Sequence, residues 1–194
     1  MRWRSHVHVL LIVAGTALAA IPASALVPPP QRSVVQMDYG DTLSAAESPE
    51  LALGAAFTVE MWVRLFEPGQ PGASNVFARG QENVHYPVQI FLDDDGRVPV
   101  LLVLGEGGAF TRIKGGTLAL GAWTHVAASL AAGVARLYVD GAEVASDRGA
   151  PAAPVANADL STLAGIQLRG ALRQVRVWSR ALSAAEVTAM AATA

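Results

Sequence analysis

Residues 123–147 constrain this chain more than any other stretch. They read Trp-Thr-His-Val-Ala-Ala-Ser-Leu, a short loop through Ala131-Ala132-Gly133, then Val-Ala-Arg-Leu-Tyr-Val, Asp140-Gly141 and Ala-Glu-Val-Ala-Ser-Asp. Asp-Gly between alternating apolar residues is a strong hairpin signal, because a type I′ turn requires positive φ at both central positions. Three antiparallel strands with almost no chain between them follow from this stretch alone. A helical or parallel-stranded body is therefore not expected.

The same pattern recurs along the chain. Phe57, Val59, Met61 and Val63 alternate with Thr58, Glu60, Trp62 and Arg64, so the first set belongs in a core and the second on the opposite face. Shorter strands are predicted at 33–39, 75–79, 86–92, 97–104, 163–168 and 172–178, with weak edge strands at 110–113 and 117–120. In the segment 172–178, Val175 and Val177 alternate with Gln174, Arg176 and Trp178. Only the C-terminus carries a helix signal. Ser183-Ala-Ala-Glu186 is a capping box, whose hydroxyl and carboxylate satisfy free backbone amides of a first turn. Many short strands, close turns and one terminal helix give an all-β fold, a two-sheet antiparallel sandwich in a single domain.

Ahead of this domain, a basic start with Arg2 and Arg4 leads into an apolar run at 9–20 and the small-residue site Ala23-Ser24-Ala25. This reads as a cleaved secretory signal over residues 1–25. The run is broken by Gly15, Thr16 and Pro22 and falls short of the roughly 20 apolar residues that a membrane span needs. Residues 26–32, with three consecutive prolines, form an extended linker to a domain over 33–194. Removing 25 of the 194 residues leaves 169, enough for one well-buried core. No cysteine exists, so neither disulfides nor an acyl anchor on cysteine is available. Without Arg2 and Arg4 the 14 basic residues fall to 12, against 16 acids. With no basic stripe, nucleic acid is excluded as a partner, and no membrane insertion is expected after cleavage. The expected location is secreted or periplasmic.

Four stretches in order resemble the laminin-G-like and pentraxin-like jelly roll of the concanavalin A-like lectin/glucanase group. They are residues 57–64, 121–127, 135–141 and 170–182 with the trailing Glu186. The resemblance implies a jelly-roll form of the sandwich, with ligands held on a concave face or by loops at its rim. It also implies that calcium, where bound, sits on acidic rim residues. Here Arg173 and Gln174 replace an acidic pair, and only Asp38 and Asp41 remain around Tyr39. A cation where the group carries a carboxylate counts against the usual calcium site. No cofactor is expected, with calcium the one left open.

Few residues point to chemistry. Asp93-Asp94-Asp95 offers three carboxylates, but successive strand positions face opposite ways, and Asp-Gly after a strand is ordinary turn chemistry. Glycan hydrolysis needs two carboxyl groups about 5 Å or about 6.5–9.5 Å apart, and Glu60 has no second acid in reach along its strand. It reads as a structural glutamate, and His125 as a core histidine. No zinc set and no Gly-x-Ser-x-Gly elbow occurs. The candidate ligand contacts are Tyr86, His85 and Asn83 in one loop, and Arg176 with Trp178 on one strand face. Trp62 and Trp123 read as packing within the sandwich. The sequence thus predicts a secreted, non-catalytic module that binds a glycan or an extracellular protein. A structural or adhesion domain is the alternative, and a glycan hydrolase ranks last.

Overall fold

The computed structural model describes residues 12–14, 34–45, 51–81, 85–155 and 161–193. In chain order its strands are β1 (Ile12–Ala14), β2 (Val34–Met37), β3 (Leu43–Ala45), β4 (Ala56–Leu65), β5 (Asn75–Gln81), β6 (His85–Asp93) and β7 (Val98–Leu104). They continue with β8 (Phe110–Lys114), β9 (Trp123–Ala131), β10 (Val134–Val139), β11 (Ala142–Asp147), β12 (Ser161–Ala164) and β13 (Gly170–Trp178), and α1 (Ala184–Ala191) closes the chain. A seven-stranded sheet runs β1-β13-β4-β9-β10-β11, with β2 also on β13, and a six-stranded sheet runs β3-β12-β5-β6-β7-β8. Strand pairing is antiparallel except for β1 on β13. The all-β, two-sheet sandwich with one short C-terminal helix is what the alternation predicted.

Alternation builds the core. Phe57, Val59, Met61, Val63 and Leu65 of β4 join Val126, Ala128 and Leu130 of β9 and Leu172, Val175 and Val177 of β13. From the other sheet come Phe77, Val88, Ile90, Leu92, Leu101 and Val103. Each such aliphatic or phenyl side chain stabilises by about 1.5–3 kcal/mol on burial, which is how a cysteine-free chain holds together. The hairpins at 123–147 form on two-residue turns. Ala132 and Gly133 have φ of 49° and 70°, and Asp140 and Gly141 have 49° and 81°. Asp140 also caps its own hairpin: its carboxylate accepts from the His125 amide at 2.8 Å, and its amide donates to the His125 carbonyl at 2.8 Å.

The capping box starts α1. Ser183 N–H donates to Glu186 Oε2 at 2.7 Å and Glu186 N–H to Ser183 Oγ at 3.3 Å. The helix then lies on the outward face of the seven-stranded sheet, where Leu182, Val187 and Met190 pack against Ala127, Tyr138 and Trp178. Thr188 Oγ1 ties it to the Gly141 carbonyl at 3.0 Å.

Several boundaries differ from expectation. Residues 117–120 form no strand: Leu120 makes a single bridge to Leu65, while Leu118 drops into the core after Gly116, whose φ is 70°. The strand expected at 163–168 stops at Ala164, because Gly165 turns at φ 76°. A short strand that the alternation did not predict, β3, occupies 43–45. The expected linker at 26–32 lies outside the described residues, as does most of the expected leader. The described part of the leader, β1, pairs with β13 at Arg176–Trp178. No helix among the described residues is long and apolar enough to cross a membrane.

Candidate functional site

The outward face of the seven-stranded sheet carries an unusual row of large polar and aromatic side chains, and a bulge puts them there. β13 shifts register against β4 between Arg173 and Arg176, with Gln174 at φ 52°. An inserted residue re-aims the side chains that follow it. Arg173 therefore pairs with Trp62 and Arg176 with Glu60, so both arginines face outward although they are three positions apart. Across β9, Trp62 pairs with His125, Glu60 with Ala127 and Arg64 with Trp123.

One end of this face is closed and charge-balanced. Glu60 and His125 are fully buried, and His125 Nε2 lies 2.9 Å from Glu60 Oε2. Arg176 donates to Glu60 Oε1 at 3.1 Å and the Trp178 indole donates to the same oxygen at 3.2 Å. Burial alone would raise the Glu60 carboxyl; the His125 hydrogen bond and the charges of His125 and Arg176 outweigh it and hold the pKa below the usual value. The helix and the Trp178 ring cover this end.

The other end is left unbalanced. The Arg173 guanidinium lies between two indoles, its central carbon 4.9 Å from the Trp62 ring centre and 4.4 Å from that of Trp123. Neither Arg173 Nε, Trp62 Nε1, His125 Nδ1 nor Gln174 Oε1 has a hydrogen-bond partner. Burial works against the Arg173 charge and lowers its pKa. Arg64, exposed beside it, rests over the Phe66 ring at 5.8 Å. Trp123 and Arg173 are half-buried and accessible. Around the same end of β4, Tyr39, Phe66 and Leu120 are exposed, tied in by Tyr39 Oη donating to Glu67 at 2.6 Å and by the Leu65–Leu120 bridge.

The acids of the 93–95 turn are matched to cations. Asp93 pairs with Arg112, Asp94 with Lys114 at 2.7 Å and Asp95 with Arg97, so the acidic triplet is a neutralised turn. At the rim, Asp38 takes the Tyr39 amide and Arg169, Asp41 takes the Asp38 amide, and Glu67 takes Tyr39 and Arg169. These rim carboxylates do not fit a calcium site, since Arg169 stands among them and local amides fill their oxygens. No group of three or more metal-ligating side chains converges among the described residues.

The residues singled out from sequence fall in different places. Arg176 and Trp178 come together, but at 3 % and 6 % exposure they hold Glu60 beneath α1 instead of facing solvent. Tyr86 is half-buried on β6, in the other sheet, with His85 at the start of that strand. Asn83 lies outside the described residues. Trp62 sits on the face opposite the core, where alternation put it, and not among the packing of the sandwich; Trp123, also expected within the sandwich, joins it there because it pairs with Arg64. Arg173 stood out in the sequence only as an obstacle to calcium. Strict alternation puts it on the core side with Val175, and the bulge is what reverses it.

Comparison with known proteins agrees with this architecture. A profile described as concanavalin A-like lectin/glucanases superfamily matches residues 38–188, most of the chain. The chain belongs to this superfamily. Among solved structures it is similar to the heptameric SAP-like pentraxin of Limulus polyphemus, at 16 % identity and a TM-score of 0.63, over 81 % of each chain. Domain 4 of an extracellular arabinanase from Geobacillus stearothermophilus, solved with arabinotriose, gives 18 % identity and a TM-score of 0.58, over 82 % of this chain and 87 % of that one. The binding domain of Paraclostridial Mosquitocidal Protein 1 gives 14 % identity and 0.64, over 81 % of this chain but 42 % of that one. At these identities the likeness concerns the fold, a concanavalin A-like jelly roll of the kind used in binding domains. No curated protein matches the chain.

Proposed function

We propose that this protein is an exported, non-catalytic binding module whose ligand, a glycan or a protein partner, docks on the open end of the seven-stranded sheet. The observation that carries this reading is the Arg173 guanidinium between Trp62 and Trp123, with unpartnered polar atoms on Trp62, His125 and Gln174 around it and Arg64 beside it. Aromatic rings combined with a few convergent polar groups suit sugar recognition. Export rests on the leader reading of residues 1–25. The absence of catalysis rests on Glu60: its two oxygens are engaged by His125, Arg176 and Trp178, and it has no accessible surface from which to reach a substrate.

The protein-partner reading draws support from Tyr39, Phe66 and Leu120, exposed together at the same end. Tyr86, with His85 and Asn83 beside it in sequence, remains a second proposed contact on the other sheet. A glycan array probed with the purified exported protein, with and without calcium, tests the module. Reproducible, calcium-independent binding that falls on Trp123→Ala supports the sheet face, and loss on Tyr86→Ala instead would move the site to β6. Silence across the array with capture by an extracellular protein would favour the interaction domain. Release of reducing sugar from any polysaccharide would overturn the non-catalytic reading.

A further inference from the structure

We propose that the ligand of this face is an acidic saccharide, its carboxylate accepted by the Arg173 guanidinium between Trp62 and Trp123. This deepens the reading above and rests on its glycan arm.

Charge is the first ground. With its leader removed the chain has 12 basic residues against 16 acids, so a carboxylate shortage does not explain an unpaired arginine. The cations of the acidic turn, the rim, the helix and the buried cluster each meet a carboxylate. Arg173 and Arg64 meet none among the described residues, and both lie against aromatic rings on one face. A guanidinium set against two indoles still has N–H groups in a planar fork that matches a carboxylate.

Hydrogen bonding is the second, independent ground. Of the five unpartnered buried side-chain atoms among the described residues, four occupy one cross-strand row, Arg173–Trp62–His125, with the bulged Gln174 beside it, and the fifth is Asn75 Oδ1 on the other sheet. Trp62, only 4 % exposed, brings an indole N–H without an acceptor, and Arg173 brings a second through Nε. Gln174 Oε1 is an acceptor without a donor, and His125 Nδ1 has no partner either, its other nitrogen serving Glu60. Buried polar groups are almost always satisfied, so such a cluster marks a place where partners arrive. The set calls for oxyanion acceptors and hydroxyl donors together. A carboxylate alone supplies only the first, and a neutral sugar lacks the charge. A sugar acid supplies both, and its ring face suits the half-exposed Trp123.

Calorimetric titration of the purified exported protein with tetragalacturonate and 3′-sialyllactose, each against its neutral counterpart (the methyl ester and lactose), tests this. At least one acid should bind about ten- to a hundredfold tighter than its neutral partner, the factor expected of a charge-assisted hydrogen-bonded pair. Affinity should fall as salt rises. Arg173→Gln should erase the preference, and Arg173→Lys should keep the salt dependence with part of the affinity. Arg64→Gln, at an exposed position, should reduce affinity severalfold with little change in melting. Equal binding of acid and neutral forms, or binding of neutral sugars only, would overturn the inference while the glycan reading stands. An array with no glycan ligand at all would remove the glycan reading, and this inference with it.

Discussion

Arg173 and Arg176 share a strand, a face and a residue type, yet the sheet treats them oppositely. Arg176 is buried with Glu60 as its counter-ion, Trp178 and His125 share the same carboxylate, and α1 seals that end of the face. Arg173, on the far side of the bulge, has two indoles and no carboxylate. The lesson is about what compensates a desolvated charge. Where compensation is internal, the arginine serves folding. Where it is missing, the charge and its unmet donors remain for something outside the chain. The two arginines should therefore separate cleanly under mutation, one through stability and the other through binding.

The largest effect should come from the closed end. Glu60→Ala leaves Arg176 buried without a counter-ion, which costs about 3–5 kcal/mol in comparable buried pairs, and chemical denaturation measures it. Replacing both partners, Glu60→Met with Arg176→Met, should recover most of that loss, because the desolvation penalty leaves with the charges. If the double variant is as unstable as the single one, the pair does more than balance charge and the contrast with Arg173 weakens. Trp178→Phe keeps the ring beneath α1 but removes one donor to Glu60, for an expected loss of about 1.5–3 kcal/mol.

Acid should unmake the same end. Glu60 is held below its ordinary pKa in the folded protein, so the unfolded chain takes up its proton first as pH falls. Its contribution is complete well above the ordinary glutamate value of 4.5 and disappears as pH drops through the lower folded pKa. A melting series across that window should show steeper loss in the native protein than in the Met–Met double variant. Matching slopes would show that other carboxylates, such as the also lowered Glu186 beside Arg180, dominate acid unfolding.

Much of the closed end could be read from the chain, and almost none of the open one. Period-2 alternation places Glu60 opposite the core at Phe57–Val63, and Ser183 with Glu186 announces the helix. The hairpins at 123–147 followed from turn chemistry at Asp140-Gly141, with positive φ at both positions. What alternation cannot show is a bulge. A single extra residue at Gln174 flips Arg173 from the core side to the face of Trp62, and no local composition signals it. Nor could period alone show that α1 would fold back over Trp178 and close what looked like an exposed aromatic strand face. The pairing of Asp93 and Asp94 with Arg112 and Lys114 of β8 needed the register of that strand, whereas Asp95 meets Arg97 two residues on within the turn.

At the open end the stability effect should be small. Arg173→Gln forfeits two cation–ring contacts, each worth about 0.5–1 kcal/mol at an exposed site, and it removes an unpartnered N–H whose burial is itself unfavourable. The two terms oppose, so a net change within about 1 kcal/mol is expected, against several for Glu60→Ala. A loss as large as that of Glu60→Ala would mean that Arg173 is a folding element like Arg176.

Smallest of all should be Asp94→Asn in the acidic turn. Its carboxylate meets Lys114 at 2.7 Å, but both side chains are about half exposed, at 51 % and 46 %. Exposed pairs of this kind contribute about 0.2–1 kcal/mol, and salt reduces even that. Asp94 also sits at φ 53°, a conformation that asparagine accepts readily, so the substitution keeps the turn while removing the charge. The melting temperature should hardly move at low salt and not at all at high salt. A drop of several degrees that calcium reverses in the native protein but not in the variant would mean that the triplet binds a cation after all, and that a second site lies on the six-stranded sheet.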